Sequence, residues 1–268
     1  MTTVRRPQPL SQSLREIEQA VSPVTGRPTD YPAGYVIAPH AHTKHQLLYA
    51  ERGVMVIRAG PGRWVVPPTR GIWVRAGTVH DTRCIGEVHM RSLLVSTDAA
   101  PRLLEETQAV AISPLLRELI RAAMDVPQPY APGTRDGRIM RLILDELRAL
   151  PVLPLHLQMP ADARLLRICE ALQHRLDDGS TMADWARRLD VDVKTIQRLF
   201  ARETGMTFGQ WRQQARLLRA LELLATGEKV IDVALALGYD SPSAFATMFR
   251  KQFGLTPSQF FSETGETR

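Results

Sequence analysis

The stretch DWARRLDVDVKTIQRLFARETGMTFGQW, residues 184–211, returns later in the chain as DVALALGYDSPSAFATMFRKQFGLTPSQF, residues 232–260. Asp184, Ala186, Leu189 and Asp192 fall on Asp232, Ala234, Leu237 and Asp240, after which the match slips by one residue. Beyond the slip, Ile196, Leu199, Phe200, Arg202, Gly205, Thr207 and Trp211 fall on Phe245, Met248, Phe249, Lys251, Gly254, Thr256 and Phe260. An inserted turn residue between two matched apolar patterns marks one structural unit used twice.

The local chemistry says what the unit is. Thr181 can cap a helix reaching Leu189, with Asp184 at the capping-box position, and Asp192 can cap a second helix that ends at Gly205. The second copy predicts helices over Val230–Leu237 and Pro242–Phe253, with Ser241 as cap and Pro242 in the first turn. Two short helices joined by a tight turn, with Ala186 small enough for close contact, form the helix-turn-helix pattern. In the second helix of the first copy, Ile196, Leu199 and Phe200 share one face and leave Lys194, Gln197, Arg198 and Arg202 on another. Such a face can reach base edges and phosphates. A lone charged helix face is ordinarily just solvated, so the reading rests on repetition, caps and turn geometry together.

The copies differ at those positions. Lys194, Gln197 and Arg198 become Ser243, Ala246 and Thr247, so hydrogen-bonded base readout is expected mainly from the first copy. The second is expected to touch thymine methyls and to anchor phosphates through Arg250 and Lys251. Between the copies, Thr207–Ala225 reads as one helix, at ~1.5 Å per residue roughly 28 Å long, enough to hold two reading helices about one DNA turn apart.

This arrangement closely resembles the AraC/XylS family of bacterial transcription regulators. The resemblance is carried by Ile196-Gln197-Arg198-Leu199-Phe200 with Glu203-Thr204-Gly205, by Ala234 to Gly238-Tyr239-Asp240-Ser241, and by Phe249-Arg250-Lys251 with Gly254-Leu255-Thr256-Pro257-Ser258. One departure is Phe260-Phe261, where members commonly carry an aromatic followed by Arg. The resemblance implies double-stranded promoter DNA as a partner, a small-molecule effector, a homodimer, and contact with RNA polymerase.

Bulk charge adds little. The chain has 268 residues and a net charge of +6, yet residues 161–268 hold 15 Lys/Arg against 14 Asp/Glu, while residues 1–160 hold 19 against 14. DNA binding must therefore rest on where a few side chains sit. No run approaches a membrane span, no apolar core follows Arg5 and Arg6, and the two cysteines, Cys84 and Cys169, lie far apart; a cytoplasmic protein without a membrane partner is expected.

Residues 1–30 read as an arm with at most a short helix around Leu14–Ala20. Over 31–100, apolar runs at Gln46–Tyr49, Val54–Ile57, Trp64–Val66, Gly71–Val74 and Met90–Val95 are bounded by turn signals and predict a β-barrel or sandwich. Residues 101–150 change to helical spacing, with stripes at Leu115, Leu116, Leu119, Ile120 and Ala123 and at Ile139, Leu142, Ile143, Leu147 and Leu150. The second stripe suits either packing on the barrel or pairing with a copy of itself. The proline-rich run 151–160 cannot be a regular helix and reads as a linker, followed by the double helix-turn-helix over 161–262. The fold class is thus α+β and multidomain: an N-terminal cupin-like β-barrel with a helical linker or dimerisation segment, then an all-α C-terminal domain.

The barrel segment resembles the cupin motif. Gly34, His40, His42, Gln46 and Gly53 keep its spacing, with Gln46 in place of Glu, and Gly77 and His80 keep part of its second motif. Equal parity predicts that one extended strand projects His40, His42 and Gln46 to the same side, with His45 opposite and His80 as the fourth member. Three imidazoles and an amide oxygen could bind Zn, Fe, Mn or Ni; equally, the histidines could line an effector pocket without metal. Arg58, Arg63, Arg70, Arg75, Arg83 and Arg91 would favour an anionic effector if any pointed inward, and solvation if not. Fusion to two DNA-reading units favours sensing over catalysis. The alternatives are a metal-dependent cupin enzyme fused to a DNA-binding domain and an effector-independent architectural DNA-binding protein.

Overall fold

The computed structural model describes residues 15, 18–60, 62–68, 70–99, 105–153 and 155–262. These fall into two compact units, the first holding the described residues up to Gly60 and from Trp64 to Leu155, the second Gly62, Arg63 and those from His156 on.

The first unit is built on strands β1 (Val24–Tyr31), β2 (Val36–His40), β3 (His45–Ala59), β4 (Gly62–Val66), β5 (Arg70–Val74), β6 (His80–Val95), β7 (Gln108–Ala111) and β8 (Val152–Leu153), with helices α1 (Pro114–Met124) and α2 (Arg135–Arg148). The hydrogen-bonded path runs β1-β6-β3-β5-β7-β8, with β2 on β6 and β4 on β3. Among the described residues this path does not close on itself, so the sheet is barrel-like without being a sealed barrel. Two short runs predicted separately, Gln46–Tyr49 and Val54–Ile57, belong to one long strand, β3. Its register against β6 shifts on either side of Arg52. Gly53 sits at that bulge with φ +78°, and a Cβ there would meet the Glu87 carbonyl oxygen at 2.3 Å, so only glycine fits.

Two expectations change. The arm predicted over 1–30, where Pro23 and Pro28 argued for irregular chain, gives way at Val24 to β1. β1 is an end strand in the sheet, where a missing backbone donor is tolerated, and Pro28 lies opposite Arg91. The rest of that arm, residues 1–14, 16 and 17, lies outside the described residues. The proline-rich run 151–160 also acquires structure: β8 pairs with β7, and β9 (His156–Gln158) belongs to the second unit. Strands of two or three residues fit between prolines where a helix cannot.

The two helices of the first unit close its core. Leu116, Leu119, Ile120 and Ala123 of α1 and Met140, Ile143 and Leu147 of α2 are buried together with Val24, Leu47, Tyr49, Trp73 and Leu93 of the sheet. Most of the α2 stripe is therefore used inside its own unit, and Leu142 is left exposed. Ser113 caps α1 by accepting from Leu116 N–H at 3.0 Å, and its hydroxyl donates to Glu146 of α2 at 2.9 Å, so one residue ends one helix and ties the next.

In the second unit follow α3 (Ala163–His174), α4 (Met182–Leu189), α5 (Val193–Thr204), α6 (Phe208–Ala225), α7 (Val230–Ala236), α8 (Pro242–Phe253) and α9 (Pro257–Ser262). Trp211, fully buried, is met edge-on by Phe200 at 6.1 Å and donates its indole N–H to Gln158 at 2.8 Å. In the second copy Phe249 and Phe260 hold the places of Phe200 and Trp211, with ring centroids at 5.5 Å, and Phe249 also packs on Phe253 at 4.6 Å.

Candidate DNA-reading surface and buried histidine cluster

Both copies make the same turn. Asp190, with φ 52°, and Gly238, with φ 71°, occupy the left-handed position after α4 and α7. The next residues, Val191 and Tyr239, both donate back to alanine carbonyls, Ala186 and Ala234, at 3.0 Å. Asp is among the few residues that reach this conformation with a side chain; at Gly238 a Cβ would lie 2.8 Å from Asp177 Cα. Helix α4 carries the complete capping box between Thr181 and Asp184, Asp192 caps α5 through Thr195 N–H at 3.0 Å, and Ser241 caps α8 through Ala244 N–H at 3.1 Å. Hydrogen bonds from Thr181 hold the Asp184 carboxyl below the usual carboxylate range, at about 2.

These turns set α5 and α8 with their apolar faces in the core. Ile196, Phe200, Phe245 and Phe249 are buried. Lys194, Gln197, Arg198 and Arg202 are exposed on α5, as are Ser243, Thr247, Arg250 and Lys251 on α8, while Ala246 is half-buried. Arg202 reaches Glu203 at 3.6 Å. Glu203 has a task the sequence did not suggest: its carboxylate accepts from the backbone N–H groups of Ala161 and Asp162 at 3.0 and 2.9 Å, fixing the start of α3 beside the end of α5.

In the first unit, His40, His42 and His80 are all buried, with potential ligand atoms within 4.8 Å of one another. The single strand expected to carry His40, His42 and Gln46 does not exist. β2 ends at His40, the chain bends over residues 41–44, and Gln46 lies in β3. His40, His42 and His80 still meet, because His40 pairs in register with His80 and the His42 carbonyl accepts from Gly77 N–H at 2.8 Å. His45 stands apart, stacked on Trp73 with ring centroids at 5.1 Å.

Each imidazole of the cluster has its Nδ1 engaged: His40 with the Ala38 carbonyl at 2.8 Å, His80 with the Thr78 carbonyl at 3.0 Å, and His42 with the Glu18 carboxylate at 2.8 Å. Carbonyls and carboxylates only accept, so Nδ1 carries a proton, and in the neutral ring Nε2 keeps its lone pair. His42 Nε2, His80 Nε2 and Gln46 Oε1 are buried without a hydrogen-bond partner. Leaving such a group unsatisfied costs about 1–3 kcal/mol. Burial, reinforced by His40, lowers the His80 pKa to about 3, keeping the ring neutral as a ligand must be. This donor set fits a divalent first-row metal, which His40, His42 and His80 would hold.

The cluster of potential ligands does not include Cys84. Cys84 and Cys169 are free and buried, and burial pushes their thiols up to about 11 and about 12. Of the arginines, Arg58 pairs with Asp81 at 3.0 Å, and Arg91 with Asp30 and Glu51, both at 3.0 Å, so these are neutralised by carboxylates. Among the described residues, no helix is long and apolar enough to cross a membrane.

The AraC-like ligand-binding domain profile matches residues 26–187, and a helix-turn-helix domain profile matches residues 185–263. The HTH-type transcriptional regulator NimR of Escherichia coli (strain K12) is 32% identical over 225 residues, covering 83% of this chain and 81% of the relative. The HTH-type transcriptional activator RhaR of Mannheimia succiniciproducens is 33% identical over 101 residues, covering 37% of each. Among solved structures, ToxT from Vibrio cholerae aligns with a TM-score of 0.39 at 10% identity, over 91% of this chain and 100% of that chain.

Proposed function

Because the chain belongs to the AraC/XylS family of transcriptional regulators, we propose that its first unit senses a divalent metal ion, or a small molecule held through one, at His40, His42, Gln46 and His80. Occupancy of that site then controls how the second unit reads promoter DNA. The observation that carries this reading is the gathering of His40, His42 and His80, whose potential ligand atoms lie within 4.8 Å of one another, with His42 Nε2 and His80 Nε2 buried without a protein partner. A metal ion held there would supply a Lewis-acidic position for an oxygen or nitrogen donor of the effector.

Reading of bases is assigned to Lys194, Gln197 and Arg198 with Arg202 beside them, and anchoring to Ser243, Ala246, Thr247, Arg250 and Lys251. A homodimer would present four reading helices to two half-sites and gain affinity through effective concentration. Exposed Leu115 and Leu142 leave apolar surface on α1 and α2 for such pairing. The bound regulator would act through contact with RNA polymerase. The effector must distinguish two arrangements of the protein, since equal affinity for both shifts nothing.

The test is metal content of untagged protein, followed by promoter-binding measurements after chelation and metal return. Near-stoichiometric Zn, Fe, Mn or Ni, lost in His80→Ala, is expected, with promoter affinity changing between the two forms. Protein free of metal under every metal supply would remove the metal-sensing reading and leave the cluster as the lining of an effector pocket.

A further inference from the structure

His42 differs from the other two imidazoles in how it is held. His40 and His80 each bond a carbonyl two residues back, so their own strands orient them. His42 relies instead on a carboxylate 24 residues away in sequence. Glu18 precedes β1 and is only 11% exposed. One of its oxygens accepts from His42 Nδ1. The other accepts from Thr43 N–H, from the Thr43 hydroxyl at 2.5 Å and from Lys44 N–H at 3.2 Å, so the bend 42–44 closes around this one side chain. The buried Lys44 adds a second anchor, its ammonium donating to the Ala20 carbonyl at 2.6 Å. Both Glu18 oxygens are thus occupied by donors from residues 42–44, which places the carboxylate behind the cluster rather than in it. Bonds from Thr43 and His42 outweigh the cost of burial and keep the Glu18 carboxyl below its ordinary pKa.

We infer that Glu18 is the positioning carboxylate of the cluster: it holds His42 in the Nδ1–H form with Nε2 free for a divalent ion, so ion binding and docking of the Glu18 segment on residues 42–44 are coupled. The inference rests on the metal-binding reading above. A carboxylate behind a ligating imidazole fixes its tautomer and orientation and raises its basicity; removing such a partner typically costs about 10–100-fold in metal affinity. Linkage makes the effect reciprocal: whatever factor the docked segment adds to ion affinity, the ion adds to docking.

The test uses the full chain with Zn(II) and Co(II). Chelator competition gives affinity, the visible absorption of bound Co(II) reports the ligand environment, and tryptic cleavage after Arg15 reports docking. Glu18→Gln keeps the shape and loses the charge. It is expected to bind both ions about 10–100-fold more weakly, to alter the Co(II) spectrum, and to lose the Zn(II)-dependent slowing of cleavage expected of the wild type. Thr43→Val removes a hydroxyl bonded to Glu18 without touching the His42 bond, and is expected to keep the wild-type Co(II) spectrum and most of the affinity. Wild-type binding with Glu18→Gln equally tight, or Thr43→Val weakened as much as Glu18→Gln, would overturn the role of Glu18 and leave the metal reading intact. Cleavage after Arg15 that is equally fast with and without Zn(II) in the ion-binding wild type would overturn the coupling, whatever the variants do. A wild type that binds neither ion would overturn both.

Discussion

Helices α5 and α8 are one design at two places: inward, one apolar residue replaces another, as Phe245 for Ile196, while outward the chemistry changes. Both begin at a capped end, both bury a phenylalanine at the same position, and both end at a left-handed glycine, Gly205 with φ 69° and Gly254 with φ 81°. Outward, α5 presents Lys194, Gln197 and Arg198, and α8 presents Ser243 and Thr247 with the half-buried Ala246. The frame is set by burial and backbone hydrogen bonds, which tolerate little change. The outer face is free to vary, so the copies can divide reading from anchoring without cost to the fold.

The comparison breaks first if the two frames are not equivalent. Phe200→Ala and Phe249→Ala each empty a fully buried ring position, and each is expected to destabilise the second unit by about 3–5 kcal/mol, measured by denaturant unfolding. Tolerance of either one would mean that the copies are not held in the same way. Next comes the division of labour. Arg198→Ala is expected to cost about 1–3 kcal/mol and to relax base preference at one operator position, while Thr247→Ala costs less. Binding measured across a set of operator variants decides it, and a larger loss of discrimination at Thr247 reverses the assignment.

The smallest effect concerns the leading helices. Helix α4 has a capping box, whereas α7 starts at Lys229 without a side-chain cap. Thr181→Ala should cost ~1 kcal/mol, while Lys229→Ala should be close to neutral, as read by amide exchange in each helix. The folded Asp184 carboxyl titrates at about 2, below its unfolded value of ~3.9. Its support for α4 is therefore complete above the unfolded value and disappears as pH falls through the folded one. Exchange from α4 should accelerate over that window, and in Thr181→Ala the acceleration should shrink.

How much of this was legible depended on whether the cause was local. Thr181, Asp192, Gly205, Ser241 and Pro242 announce helix ends because a cap is a contact within a few residues. The boundaries read for α4, α5, α6 and α8 differ from those observed by at most a residue or two. Elements that depend on distant partners were harder. Strand β1 was hidden by Pro23 and Pro28, because its pairing with β6 is invisible in its own residues. The stripe on α2 could serve an internal core or a second copy, and only the buried set shared with the sheet shows that Met140, Ile143 and Leu147 pack inward.

The histidine cluster divides along the same line. By itself the sequence named the candidates: resemblance to the cupin motif singled out His40, His42, Gln46 and His80, and the repeat singled out two helices for the reading role. Only the tertiary structure decided how the histidines meet, through a bend at residues 41–44 in place of one continuous strand. It alone brought in Glu18, a residue with no motif around it. Local hydrogen bonding and periodicity are written into neighbouring residues, whereas the contact that orients His42 exists only once segments 24 residues apart are folded together.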